Sequence, residues 1–285
     1  MSRAQRRMGW CLMLGLVFLA AVGAAQTGRT RGGTAEAASG YLRMAATALQ
    51  AGELVEAATI LKDGLTRCDP TPELWFMLAD VYRQQGQLAQ AAEAAENAVD
   101  LDVRFSPAHL LLGDIFREQG WLQAAQDSYR AALAADPEAP AARYRLIQCL
   151  TESGQLKAAE QECRADLARQ ESPPICLLLG DVLTRQQRPQ EALAAFDRTL
   201  VLDPRSATAH ARRAGLLCQL GLYDEAAQAA RAALAIDPDH AEAHGWLGLA
   251  SAHRQDYLGA YSHAVKAEQA GVDMSAVWSI LQRQN

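Results

Sequence analysis

From Ala38 onward the apolar residues fall in pairs of stripes with helical spacing, so the pattern predicts helix, tight break and helix, repeated along the chain. Segments such as WFMLADVYRQQGQL, HLLLGDIFREQGWL and RYRLIQCLTESGQL align on one another. The alignment opens seven repeats at Ala38, Pro72, Ser106, Pro140, Pro173, Ala207 and Ala241, at spacings of 34, 34, 34, 33, 34 and 34 residues. A period of that length marks a solenoid, built from helical pairs that bury their apolar faces only by stacking. The break carries Gly52, Gly86, Gly120, Gly154 and Gly221, with Gln187 and Gln255 in the two remaining repeats. Glycine there ends the first helix in the left-handed region without a Cβ clash. Between repeats the chain turns at Asp69-Pro70, Asp136-Pro137, Asp203-Pro204 and Asp237-Pro238. Proline disfavours helix in the residue before it and so stops the second helix.

Two columns predict close packing within each repeat. Counted from the repeat start, position 20 is alanine in all seven copies: Ala57, Ala91, Ala125, Ala159, Ala192, Ala226 and Ala260. Position 8 is small in six, at Ala45, Ala79, Gly113, Gly180, Ala214 and Gly248, with Ile147 the exception. Small residues on facing helices let the axes approach, and Met44, Leu78, Leu112, Leu146, Leu179 and Leu247 at position 7 are expected to fill the core around them. Position 27 is also small at Gly64, Ala98, Ala132, Ala233 and Ala267; positions 4, 11 and 24 are large or aromatic, and proline recurs near 32. On these columns the chain resembles the tetratricopeptide repeat family, from Ala38 to about Gly271. The resemblance implies an all-α, right-handed α-solenoid of seven helix-turn-helix repeats. Asp166 at position 27 and Arg213 at position 7 depart from the pattern and put the tightness of their own repeats in question, whereas Pro189 opens a helix, where its missing N–H costs nothing.

A last amphipathic stretch from Asp273 to Gln284 is expected to begin at an Asp273 N-cap and to cover the open end of the stack with Val277, Trp278 and Leu281. The expected plan is a signal peptide or signal-anchor in 1–25, a flexible linker in 26–37, repeats at 38–71, 72–105, 106–139, 140–172, 173–206, 207–240 and 241–272, and a capping helix in 273–285. The N-terminal assignment rests on Arg3, Arg6 and Arg7 ahead of an unbroken apolar run from Met8 to Ala25, the layout of a secretory signal. Cleavage after Ala24 or Ala25 and retention as an inner-membrane anchor through residues 8–25 both stay open, since such a run is just long enough to span a bilayer. Either way the remainder is expected to be extracytoplasmic, in the periplasm or anchored facing it. The Gly- and Thr-rich TGRTRGGTAE that follows reads as a tether.

Charge and candidate chemistry narrow the function. The formal net charge is −6, and removing the first 25 residues shifts the basic-to-acidic balance from 27 against 33 to 24 against 33, or −9. That argues against nucleic acid, which needs a basic surface. Lysine occurs only at Lys62, Lys157 and Lys266; the arginines, spread along the whole chain, read as the codon bias of a GC-rich genome rather than as a designed carboxylate-binding set. The sequence contains no Gly-rich phosphate loop, no H-E-x-x-H and no G-x-S-x-G, so no catalytic residues, no metal ligands and no cofactor are assigned. His109, His210 and His244 share position 4 with Tyr41 and Trp75 and read as packing residues. His240 and His244 have a metal-compatible spacing, but His240 falls in a turn. The cysteines read first as small buried hydrophobes; if a disulfide forms, Cys163 with Cys176 is the first candidate and Cys149 with Cys163 the second.

What the resemblance adds is an inner face lined by first-helix positions 2, 5, 6, 9 and 12. Its expected binding residues here are Arg43, Phe76, Met77, Asp80, Leu110, Asp114, Tyr144, Arg145, Gln148, Leu177, Asp181, Arg212 and Trp246. Alternating charge over an apolar floor suits an extended peptide or a helix of a protein partner, although Gly-Asp at positions 8 and 9 also reads as a common way of writing these helices. The Lys and Asn set by which chaperone-binding members hold a terminal carboxylate is absent, position 5 carrying Leu42, Phe76, Leu110, Tyr144 and Leu177. The expected function is a non-catalytic scaffold or assembly adaptor of the cell envelope, similar to the tetratricopeptide proteins of pilus assembly, polysaccharide export or cytochrome maturation. A self-assembling structural repeat protein and an accessory subunit of an envelope enzyme complex are the alternatives; the oligomeric state is left open.

Overall fold

The computed structural model describes residues 32–283. The expected signal or anchor segment, 1–25, and the start of the linker lie outside the described residues. Among the described residues there are fifteen helices and no strand, and no helix is long and apolar enough to cross a membrane. The first helices of the repeats are α1 (Gly32–Gln50), α3 (Pro72–Gln84), α5 (Ser106–Glu118), α7 (Pro140–Glu152), α9 (Pro173–Arg185), α11 (Ala207–Gln219) and α13 (Ala241–His253). The second helices are α2 (Leu54–Arg67), α4 (Leu88–Leu101), α6 (Leu122–Ala135), α8 (Leu156–Leu167), α10 (Pro189–Leu202), α12 (Tyr223–Ile236) and α14 (Tyr257–Gln269), and α15 (Ser275–Gln282) closes the chain. The chain forms two compact bodies, one ending at Ala142 and one beginning at Arg143. Within each, first and second helices pack as hairpins and each second helix packs on the first helix that follows.

The break between paired helices behaves as the glycines predict. Gly52, Gly86, Gly120, Gly154 and Gly221 all take φ between 76° and 81°, and Gln187 (59°) and Gln255 (65°) are held in the same left-handed region, where a side chain is strained. The inter-repeat turn has a device beyond proline. The side chains of Asp102, Asp136, Asp203 and Asp237 each accept the backbone N–H two residues on, at 2.9–3.3 Å, so aspartate itself folds the corner.

The small residue at position 8 is matched to the residue at position 24. A Cβ on Gly113 would lie 2.4 Å from Tyr129 Cε1, and one on Gly180 would lie 2.3 Å from Phe196 Cε1; both rings are fully buried. Repeat 4 reverses the trade with Ile147 and Cys163, both buried, and repeat 7 pairs Gly248 with Ala264, where an added Cβ meets nothing closer than 3.4 Å. The alanines of position 20 are buried throughout.

Several expectations need correction. Met44 is not a core residue: it is 56% exposed, because position 7 is covered by a preceding repeat and repeat 1 has none. The first helix begins at Gly32, so the last part of the expected linker, 32–37, is helical: Ala and Glu carry the helix back from repeat 1 with no stop signal between them. Met274, not Asp273, is the N-cap of α15; Asp273 instead accepts from the Ser275 N–H at 2.9 Å, which holds its carboxyl below the usual range. Met274 and Val277 are buried against α13 and α14 with Trp278 and Leu281 beside them, and Trp278 donates to Glu268 at 3.2 Å. The two departures from the repeat pattern are closed locally, Asp166 by Arg143 at 2.6 Å and Arg213 by Asp197 at 2.8 Å.

Candidate functional site

In the N-terminal body α1 packs beside α3 and α3 beside α5, and in the C-terminal body α9 packs beside α11 and α11 beside α13. On the N-terminal body Phe76, Met77 and Leu110 are half-buried and Arg43 is exposed. Phe76 meets the edge of Phe105 at 5.8 Å. The carboxylates expected to face a partner are engaged at home. Asp80 accepts from Arg83 at 3.0 Å and Gln84 at 2.7 Å, and Arg83 reaches on to Glu118 of the next repeat at 2.8 Å. Asp114 accepts from the Tyr129 hydroxyl at 2.8 Å.

The C-terminal body carries a cavity of about 380 Å³ between α7, α9, α11 and α13, a volume in the range of small-ligand sites. Gln148, Asp181, Arg212 and Trp246 of the expected set line it; Tyr144, Arg145 and Leu177 lie on the same helices outside the lining. Tyr144 accepts from Gln148 Nε2 at 3.2 Å, and burial pushes its phenol above the ordinary value. Arg212 Nε lies 3.3 Å from Asp181 Oδ1, and Arg212 Nη1 donates to Glu242 at 2.8 Å. Arg185 donates to the Thr151 carbonyl at 3.0 Å. Three of the residues that line the cavity each bury one polar atom away from solvent without a hydrogen-bond partner, Gln148 Oε1, Arg212 Nε and Trp246 Nε1, as Arg83 Nε and Gln119 Oε1 are buried in the N-terminal body. Burial raises the Asp181 carboxyl above the ordinary carboxylate value; Arg212 and Arg185 oppose the shift and Glu242 adds to it.

Sequence reasoning missed Thr151, Thr184, Phe196 and Gly215, all part of the lining. Gly215 could have been found: it stands at position 9, where repeats 2, 3 and 5 have aspartate. A Cβ there would sit 2.8 Å from Trp246 Cε2, so the glycine is what lets the indole lie across α11. The glutamines at position 14 were also missed. Gln85 donates to the Leu54 carbonyl at 3.1 Å and Gln186 to the Leu156 carbonyl at 3.0 Å, each stapling a repeat to the one before.

The histidines hold turns as well as packing. His109 Nε2 meets the Val103 carbonyl and His244 Nε2 the Pro238 carbonyl, both at 2.9 Å, while His240 Nδ1 caps α13 by accepting from Ala243. Among the described residues no group of three or more His, Cys, Asp or Glu is placed to hold a metal. Cys163 and Cys176 are buried free thiols. Burial first, then neighbouring acids and Cys176, push Cys163 up to about 12, so it is a poor thiolate.

This is a helical-repeat solenoid. Sequence models of the tetratricopeptide repeat match residues 72–103, 116–175, 177–241 and 219–271, and the chain belongs to that family. The fold is shared with a tetratricopeptide repeat protein from Parabacteroides merdae, at 19% identity and a TM-score of 0.70 over 87% of this chain and 98% of that one. It is also shared with pilF of Pseudomonas aeruginosa (21% identity, TM-score 0.61, 75% of this chain and 97% of that one) and with PilW, described as a widely conserved type IV pilus biogenesis factor (18%, 0.62, 73% and 98%). At these identities the likeness is one of fold. Tetratricopeptide repeats generally serve as non-catalytic protein-interaction scaffolds.

Proposed function

We propose that this chain is a non-catalytic scaffold or assembly adaptor that binds a segment of a partner protein on the inner faces of its first helices and works outside the cytoplasm. The observation that carries the binding reading is the run of large side chains left half-covered on those faces, Phe76, Met77 and Leu110 in one body and Tyr144, Leu177 and Trp246 in the other. Aromatic and Met anchors of this kind supply most of the energy of a protein interface. The extracytoplasmic setting rests on the basic-then-apolar N-terminus from Arg3 to Ala25, and an envelope-assembly role is in keeping with the fold shared with PilW. End-to-end self-assembly is disfavoured because α15 covers the last repeat.

Two measurements test the reading. A photo-crosslinking residue at Leu177, on the inner face, is expected to capture a protein partner in the producing cell, and one at Val201, 67% exposed on a second helix, is not. Equal capture from both positions, or capture from Val201 alone, would refute groove binding. An alkaline phosphatase fused after the last residue is expected to be active; an inactive fusion would place the repeats in the cytoplasm.

A further inference from the structure

Repeats 3 and 7 both place a histidine at position 4, and both rings reach back to the corner that opens their repeat. His109 Nε2 lies 2.9 Å from the Val103 carbonyl oxygen and His244 Nε2 lies 2.9 Å from that of Pro238. The two repeats part at position 23. Repeats 2, 5 and 6 have alanine there, at Ala94, Ala195 and Ala229, and repeat 3 has Ser128, whose hydroxyl donates to the Ala124 carbonyl of its own helix. Repeat 7 has His263. Its Nδ1 lies 2.9 Å from Nδ1 of His244, across the seam between α13 and α14, with the ring centroids 5.1 Å apart. His244 is buried and His263 half-buried.

A carbonyl oxygen only accepts, so His244 carries a hydrogen on Nε2 and, when neutral, turns a bare Nδ1 toward His263, which donates its Nδ1–H. One hydrogen therefore sits between the two rings. A first added proton keeps that bond but places an imidazolium in a packed seam. A second sets two N–H groups head to head at 2.9 Å, and the rings must part. The surroundings do not invite the charge. Lys266 of α14 and Arg231 of α12 oppose it, and Asp256, which favours it, already accepts from the Gly259 N–H as the N-cap of α14. On α11, which carries His210 at the same register, Arg212 and Arg213 pair with Glu242 and Asp197; Asp224 of α12 pairs with Arg254, and Asp237 in the corner accepts from the Asp239 N–H. The closing helix α15, packed on both α13 and α14, has no ionisable side chain in Ser275–Gln282. Burial first, then His244 and Lys266, hold the His263 imidazole below its ordinary value.

The end of the chain is secured on the same seam. A Cβ on Gly245, the residue after His244, would lie 3.3 Å from Val272 Cγ1 and 3.4 Å from Met274 Sδ, and Met274 and Val277 are buried with Ala260, Ala264 and Ala267 of α14. We propose that the His244–His263 pair is an acid-sensitive latch: uncharged, it holds repeat 7 and α15 in place, and on taking up protons it releases them and bares the apolar face that Met274 and Val277 cover. The latch is independent of what the inner face binds. A histidine that the fold holds neutral contributes its full stability above its unfolded pKa, near 6.5, and that contribution is lost as pH falls below it. In a chain outside the cytoplasm the pair would sense the acidity of the surroundings.

The test is hydrogen exchange of the full chain in detergent, read by mass spectrometry at about pH 7.5 and 5.5 with labelling times scaled to the intrinsic amide rate at each pH. A histidine that must stay neutral costs a factor of about ten in the closing equilibrium one unit below 6.5, so peptides within 241–282 should lose about tenfold in protection at the lower pH. Peptides of repeat 3, where His109 faces no second ring, should keep theirs. His263→Gln, whose amide can donate to His244 without titrating, should retain protection at the higher pH and remove most of the acid loss. His263→Ala, which installs the residue of repeats 2, 5 and 6, should remove it as well, because no second ring then opposes a proton on His244. Protection of 241–282 that is the same at both pH values, an equal acid loss in repeat 3, or a loss that persists in both variants would each overturn the latch.

Discussion

Repeat 3 and repeat 5 build one joint in two ways. Both stack a ring on a glycine and set an aspartate beside it, yet Tyr129 closes its aspartate with a hydroxyl and Phe196, which has none, leaves its own to Arg212. The N-terminal inner face spends its carboxylates on hydrogen bonds within itself, through Tyr129–Asp114 and Asp80–Arg83–Glu118, while on the C-terminal face Asp181 is held by its ion pair with Arg212 beside a cavity. The difference teaches that an inner-face charge in this chain is informative about a ligand only once its internal partner is known. Of the aspartates sharing position 9, Asp80 and Asp114 accept aligned hydrogen bonds, and Asp181 is held by an ion pair with Arg212 at 3.3 Å.

The largest expected effect breaks the joint in both repeats. Gly113→Ala and Gly180→Ala drive a Cβ into a buried ring and should each cost about 3 kcal/mol in urea unfolding. Gly248→Ala at the same register has room and should be neutral or stabilising by up to about 1 kcal/mol from helix propensity; an equal loss at all three positions would end the comparison.

Next comes a carboxylate of the C-terminal body that accepts aligned hydrogen bonds where Asp181 has an ion pair alone. Burial works against the charge of Glu160, but hydrogen bonds from Gln186 and Arg188 and the charge of Arg164 outweigh it and hold its pKa below the ordinary 4.5. A carboxyl depressed in the fold stabilises above its unfolded value and ceases to do so as pH falls through the folded one. Glu160→Gln should therefore cost about 2 kcal/mol at pH 7, and the gap to wild type should close in thermal melts on acidification below about 4.5. Asp181→Asn should behave oppositely. Its carboxyl is raised in the fold, so the substitution should stabilise at pH 7, with the gain vanishing once both states are protonated.

Exchanging the single hydroxyl sharpens the comparison further. Tyr129→Phe should cost about 1 kcal/mol and Phe196→Tyr should gain up to about 1 kcal/mol, and a double-mutant cycle with Asp114→Asn or Asp181→Asn should place that energy on the aspartate. The smallest effect is at the helix break, where repeat 3 has Gly120 and repeat 5 has Gln187 at φ 59°. Gln187→Gly should stabilise by about 0.5–1 kcal/mol in the same unfolding assay.

Much of this was legible in the chain. The alanine column, the break glycines and the Asp-Pro corners are local requirements of helix packing and backbone geometry, and each leaves its own mark at a fixed register. Met44 escaped because its exposure follows from having no repeat before it, and Asp166 because the arginine that neutralises it, Arg143, stands on the other helix of its hairpin. The candidate site was legible as a list of positions and not as chemistry. Asp80, Asp114 and Asp181 are indistinguishable in their column, and Gly215 looks like a gap in that column until Trp246 is seen lying across it.

The sequence by itself determined the repeat, its period and the breaks between paired helices, because periodicity and turn chemistry are written in neighbouring residues. Only the tertiary structure decided which inner-face groups are satisfied and by what. That depends on side chains brought together from different helices: whether a ring at position 24 ends in a hydroxyl beside the aspartate at position 9, and which arm of Arg212 Glu242 claims.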